Sequence, residues 1–294
     1  MSTNLKTVIT SKTKTVEIER GKPTVIIGER INPTGRKAVL AALQAGDFEI
    51  VKSDAVRQVD AGAKILDVNA GVPNADEPVL LKQVMEMVMS VTDVPLCIDT
   101  ADPKALEAAL STYEGNPLVN SVNGEETSLN NILPLVKEYN ASVIGLCMDD
   151  DGIPETPEDR LRVADKIIER AGKLGIGPER VVIDPLALTM GADSSAGKTA
   201  LETIKLVVEK YGVNITMGAS NISFGMPDRK YINATFIALA IFAGMTCPIT
   251  NPLVREVSTA VLSTDLSLGM DDFGMQWIQA YRKRKQEDEA KEKA

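Results

Sequence analysis

Carboxylates and carboxamides recur in this chain directly after short apolar runs, a placement that can build one polar pocket. Val25–Gly28 leads into Glu29, Ile65–Leu66 into Asp67 and Asn69, Pro95–Ile98 into Asp99, and Leu118–Val119 into Asn120. The series continues with Val143–Cys147 into Asp149, Val181–Ile183 into Asp184, Ile215–Ala219 into Ser220 and Asn221, and Thr246–Thr250 into Asn251. A single acid after a strand is ordinarily a helix cap. Repetition at eight strand exits instead sets acids and amides around one centre, where they can both accept and donate hydrogen bonds to a flat heterocycle. Asp99 and Asp184 are the sharpest of the set, because Leu96-Cys97-Ile98 and Val181-Val182-Ile183 place each carboxyl at the edge of a low-dielectric core. A carboxyl there needs a hydrogen-bonding partner. The adjacent N–H donors of an amino-pyrimidinone ring would supply one, and capping of the next helix is the alternative.

Composition narrows the chemistry further. The 294 residues include no histidine, which removes most nucleophile triads, the usual transition-metal ligand and the commonest general base near neutrality. Catalysis must run on carboxylates, amides or a bound cofactor. Cys97, Cys147 and Cys247 lie in or at the end of apolar strand runs with no CxxC pair, so they are expected as reduced core thiols of a cytoplasmic protein that binds no metal directly. A net charge of −9 argues against nucleic acid as a partner. The N-terminal stretch lacks the apolar core of a signal peptide, and the apolar run Phe236–Met245 is far shorter than the ~20 residues of a membrane span. No membrane partner is expected.

The elements that must hold these groups alternate regularly. Helical spacing marks Arg36–Ala45, Phe48–Ala61, Glu77–Ser90, Pro103–Ser111, Ser128–Tyr139, Pro157–Leu174, Gly197–Lys210, Arg229–Ala243 and Leu253–Ser263, each between two strand runs. Alternating strands and helices imply a parallel sheet, and a (β/α)8 barrel of about 250 residues fits the length as a single α/β domain. The expected division is an N-terminal extension over 1–22, a barrel over 23–268 and a charged helical tail over 269–294. The small-residue stretch 185–198 reads as a mobile flap over the barrel mouth.

The most specific segment is Gly218-Ala219-Ser220-Asn221-Ile222-Ser223-Phe224-Gly225, leading through Pro227 and Asp228 to Arg229. Gly218 permits close approach at a strand end, and Asn221 offers both a donor and an acceptor. This segment resembles the Asn-Ile-Ser-Phe-Gly element of the pterin-binding, corrinoid-dependent methyltransferases. Glu29-Arg30-Ile31-Asn32, Asp67-Val68-Asn69, Cys97-Ile98-Asp99-Thr100, Val119-Asn120-Ser121 and Ile183-Asp184-Pro185-Leu186 are similar to that family in order and spacing. The resemblance implies that Asp99, Asn120 and Asp184 hold a pterin ring, that Gly218 and Ser220 lie against it, and that Asn221 is the catalytic amide beside the methyl-bearing nitrogen. Glu29 and Asn69 match family positions whose part is mainly scaffold. Arg229 matches an arginine beside the loop, with a salt bridge to Asp228 or packing at the helix start as alternatives.

The implied substrates are tetrahydrofolate or 5-methyltetrahydrofolate and a corrinoid carried by a partner protein, since the family's Asp-x-His-x-x-Gly corrinoid motif needs a histidine. The implied reaction is methyl transfer between the two, in a direction the sequence leaves open. A homodimer is expected by resemblance only. Dihydropteroate synthase is the rival on the same fold, but its Asn-x-Thr-x-Asp-Ser-Phe element and late Arg-x-His have no counterpart here. A non-catalytic folate-binding protein is the second rival.

Overall fold

A computed structural model describes residues 4–292; the outer ends of the two expected extensions, 1–3 and 293–294, lie outside it. The barrel strands are β3 (Ile27–Ile31), β4 (Ile65–Asn69), β5 (Leu96–Asp99), β6 (Leu118–Asn123), β7 (Ser142–Leu146), β8 (Val181–Asp184), β9 (Thr216–Gly218) and β10 (Cys247–Thr250). All are parallel, in the order β8-β7-β6-β5-β4-β3-β10-β9, and a bridge between Ile183 and Ile215 brings the two edges together. The fold is the expected (β/α)8 barrel.

The helices alternate with these strands: α1 (Lys37–Gln44), α2 (Glu49–Asp60), α3 (Glu77–Met89), α4 (Pro103–Leu110), α5 (Glu126–Glu138), α6 (Pro157–Lys173), α7 (Ala196–Tyr211), α8 (Arg229–Ala243) and α9 (Arg255–Ser267). Three of them, α3, α4 and α6, start on a capping side chain. Asp76 accepts from Val79 N, Asp102 from Lys104 N and Thr156 from Asp159 N, each just ahead of a proline in the first turn. Asp67 and Asp99, on the strands before α3 and α4, are therefore free of that duty. The last helix, α10 (Met275–Glu292), carries the charged tail, and among the described residues no helix is long and apolar enough to cross a membrane.

Strand alternation divides the core in two. Residues facing out, such as Leu66, Ile98, Val119 and Ile183, pack beneath the helices in the main cluster. Those facing in, Ile27, Ile65, Cys97, Leu118, Ile144, Val182, Cys247 and Ile249, fill the lower barrel. Two residues further along, the same inward face becomes Glu29, Asp67, Asp99, Asn120 and Asp184. An apolar floor beneath a polar layer is the result.

The N-terminal segment closes the floor. β1 (Thr7–Thr10) and β2 (Thr15–Ile18) pair antiparallel, and Ile9 and Ile18, both fully buried, join the inner cluster from below. Polar bonds fix the hairpin to distant strands. Asn214 Nδ2 donates to Thr7 Oγ1 (2.9 Å) and Ile18 O (2.8 Å), and Thr7 Oγ1 donates to Glu179 O (2.7 Å).

Candidate functional site

Three neighbouring strands set the deepest part of the site. Asp67 in β4 is buried, and Asn120 Nδ2 from β6 donates to its Oδ1 at 3.0 Å across the intervening β5. Asp99 on β5 lies between them, in register with Asn69 on one side and Asn120 on the other. Asn69 Nδ2 donates to the main-chain oxygen of Asp99 (3.2 Å) and its Oδ1 accepts from Gly71 N (2.9 Å). Burial pushes the Asp67 carboxyl up to about 6, with Asn120 opposing, while Asp99 is driven well above its ordinary range by burial and then by the Asp67 charge. Two carboxyls in contact cannot both ionise in such surroundings, so they hold a proton between them. The pair can accept and donate.

Asp184 supplies the opposite wall. It is buried at the end of β8, its Oδ1 accepts from Leu186 N (2.7 Å), and burial raises it to about 6 against the hydrogen bonds from Leu186 and Gly218 main-chain N–H. The turn that follows is held by Arg160, a fully buried guanidinium on α6 that donates to Pro185 O (2.9 Å) and Leu186 O (2.8 Å). Leu186 adopts a left-handed conformation there, with φ 65°. Nothing in the residues around Arg160 marks it as part of the site, because its partners lie 25 and 26 positions away.

The third wall is the turn after β9. Residues 219–223 form a short 3-10 helix, and a Cβ on Gly218 would lie 3.0 Å from Asn221 Nδ2, so glycine leaves the amide its space. Arg229 locks this turn by donating to Ser220 O (2.7 Å) and Ser223 Oγ (3.0 Å), with its guanidinium over the Phe224 ring at 5.8 Å. Among the described residues Arg229 forms no ion pair with Asp228. Asn221 and Phe224 are exposed at the mouth. The stretch expected as a flap is tied to the same turn, through Met190 N to Ile222 O (2.9 Å) and Thr189 Oγ1 to Phe224 O (2.6 Å).

Glu29 completes the ring between β4 and β9. Its Oε1 accepts from Ser220 Oγ at 2.9 Å, and burial, reinforced by the Asp67 charge, pushes it up to about 7. Register shifts interrupt β3 between Gly28 and Ile31 and β6 between Asn120 and Val122, the two places where strands turn Glu29 and Asn120 into the barrel. A Cβ on Gly28 would sit 2.6 Å from Gln58 Oε1, so glycine lets the buried Gln58 bond Arg30 N behind the site.

The nine residues given a part in the site from the sequence all lie at the C-terminal end of the barrel, and Asp67, named there only as a strand-exit acid, joins them. Two other strand exits do not join. Asp149 Oδ1 accepts from Asp151 N and Asn251 Oδ1 from Leu253 N, each spent on its own turn. A cavity of about 570 Å³ lies between α2, α9 and α10, outside this ring, and its buried acid, Asp265, is already engaged by Thr24 N and Oγ1. Cys97, Cys147 and Cys247 are buried free thiols whose ionisation burial strongly disfavours.

Four carboxyls and three amides converge on one barrel mouth, and the family described as pterin binding enzyme matches residues 28–251. The chain belongs to the pterin-binding enzymes. It is 33% identical to a methylcorrinoid:tetrahydrofolate methyltransferase of Eubacterium limosum over 89% of this chain and 97% of that one. It is also 28% identical to methionine synthase of Mycobacterium tuberculosis over 77% of this chain but only 20% of that one. Among solved structures, dihydropteroate synthase of Xanthomonas albilineans superposes with a TM-score of 0.67 at 18% identity, covering 89% of this chain and 98% of the other. That of Yersinia pestis gives 0.64 at 16% identity, covering 90% and 99%. At such identities these structures speak to the fold alone.

Proposed function

We propose that this enzyme transfers a methyl group between tetrahydrofolate and a corrinoid carried by a partner protein. The observation that carries the reading is the pairing of a pterin-binding ring with Asn221 at its exposed rim, together with full-length similarity to a methylcorrinoid:tetrahydrofolate methyltransferase. An amino-pyrimidinone edge offers adjacent N–H donors to Asp184, and the Asp67–Asp99 pair with Asn120 faces the remaining polar edge. Gly218 and Ser220 lie against the ring, with Asn69, Glu29 and Arg229 fixing the groups that touch it. Asn221 meets the reacting nitrogen. Transfer away from that nitrogen leaves electron density on it, and an amide donor stabilises the developing charge; in the opposite direction the same amide orients the lone pair.

Placing the acids at the base and Asn221 at the rim leaves the methyl group facing the opening, where a second large substrate can reach it. The residues of this chain do not fit a resident corrinoid, since the histidine of the family's corrinoid motif is missing. The corrinoid is therefore a substrate presented by its carrier, and the chain itself holds no metal. In this reading 23–268 is the pterin-binding unit, flanked by the extension 1–22 and the tail 269–294. The enzyme works in the cytoplasm, in keeping with its free thiols. It pairs as a homodimer through the exposed Tyr231, Leu239 and Phe242 on α8, and sedimentation should then give twice the chain mass of 31.6 kDa.

Incubation with methylcobalamin and tetrahydrofolate tests the reading. Loss of the methylcobalamin spectrum with formation of 5-methyltetrahydrofolate supports it. Pterin binding without any cobalt spectral change would leave a non-catalytic binder, and condensation of a pterin pyrophosphate with 4-aminobenzoate would restore the synthase alternative.

A further inference from the structure

A methyl group leaving a tertiary amine needs a proton delivered to the nitrogen, and a site without histidine must find that proton elsewhere. Asn221 can donate a hydrogen bond but has no proton to give. The acids at the base of the site face the pyrimidinone edge, and all three are committed. Asp67 is held by Asn120 and paired with Asp99, while Asp184 is pinned by Leu186 N. Glu29 is different. It stands beside the Ser220–Asn221 turn, and its Oε1 takes the Ser220 hydroxyl at 2.9 Å.

Resting on the methyl-transfer reading, we propose that Glu29 is the proton reservoir of the reaction and that it acts through the Ser220 hydroxyl on the pterin nitrogen held by Asn221. As the carbon–nitrogen bond breaks, its electron pair stays on the nitrogen, which takes the Ser220 proton. Ser220 Oγ takes the proton of Glu29, and Glu29 is left as a carboxylate. The methyl carbon forms its new bond with an electron pair supplied by the reduced corrinoid, and the pterin departs as a neutral secondary amine. In the reverse direction the nitrogen returns its proton along the same path.

The surroundings suit a group that must hold a proton near neutrality and then release it. Burial and the Asp67 charge on β4 favour the neutral acid, whereas the Ser220 hydroxyl, Arg30 on its own strand and Arg229 on α8 favour the carboxylate, leaving Glu29 at about 7. On the other side Thr250 and Asn251 of β10 and its exit bring no ionisable group. Arg229 bonds Ser220 O while facing Glu29, so the carboxylate left after transfer keeps a nearby cation.

The test compares wild type with Glu29→Gln, which preserves size and an acceptor for Ser220 but cannot titrate. Single-turnover transfer from saturating 5-methyltetrahydrofolate to cob(I)alamin should fall in wild type as pH rises through neutrality. In Glu29→Gln it should be roughly 100-fold slower at about pH 6 and flat across that range. Ser220→Ala should share the loss and Ser220→Thr should restore the rate, each read at saturating pterin so that any change in affinity drops out. Isotope-edited infrared spectroscopy of the substrate-free protein supplies an independent readout, a carboxyl band absent from Glu29→Gln that disappears near neutral pH. A wild-type rate and pH profile in Glu29→Gln overturns the relay while leaving methyl transfer standing. Absence of transfer in wild type, with the Glu29 band titrating as described, overturns the functional reading instead.

Discussion

At the scale of single residues, the site is organised by carboxyls that burial drives toward their neutral forms. A ligand offering N–H donors relieves that penalty, so each such acid should matter for pterin affinity. Asp99→Ala and Asp184→Ala are each expected to weaken tetrahydrofolate binding by about 1–3 kcal/mol in calorimetry, with unchanged circular dichroism. Equal affinity in both variants would remove them from the pocket. Nearly all of these positions were legible in the sequence, because an acid that ends a run of buried aliphatics has few inexpensive explanations. Asp67 stood out as a strand-exit acid but not as a member of the site. It reads with Asn69 and Gly71 as ordinary turn chemistry, although it follows Ile65 by two residues and so shares that residue's inward face. The bonds that decide its role, from Asn120 and to Asp99, come from strands remote in sequence.

Elements position the site by closing the barrel below and pinning the turns above. The alternation of strands and helices was readable because each helix has its own apolar spacing, and α8 runs over the residues expected, Arg229–Ala243. The hairpin of β1 and β2 was not. Its two strands are only four residues each, with threonine at three of the eight positions, and just Ile9 and Ile18 of their apolar side chains are fully buried in the core. Nothing local announces that they lie under the barrel, since their anchor is Asn214 on the far side of the sequence. Truncating Ile18 should therefore act as a core mutation. Ile18→Ala is expected to cost about 2–5 kcal/mol in urea unfolding, whereas Val8→Ala, on the partly exposed face of β1, should cost well under half as much. Similar small losses for both would mean that the hairpin adds little to the floor.

The whole molecule carries a stability cost for gathering these acids at one end. A carboxyl raised by folding holds its proton more tightly in the native state than in the unfolded chain. Stability therefore falls as pH rises from the ordinary carboxylate range up to the folded values, about 6 for Asp184 and about 7 for Glu29, and levels off above them. Glu29→Gln should consequently be more stable than wild type by about 1–2 kcal/mol at about pH 8 and nearly equal to it at about pH 4, as measured by urea unfolding. An equal difference at both pH values would show that burial of the charge is not the cause. The same arrangement gives the molecule its proposed activity, with pterin held by the acids and its reacting nitrogen left at the rim beside Asn221. The most direct measurement is a single turnover followed in the visible spectrum, with cob(I)alamin and saturating 5-methyltetrahydrofolate, on wild type and Asn221→Ala. The account predicts rapid formation of methylcobalamin by wild type and a rate lower by roughly 10- to 100-fold in the variant even at saturation; equal rates in the two, or no methylcobalamin from wild type, would contradict it.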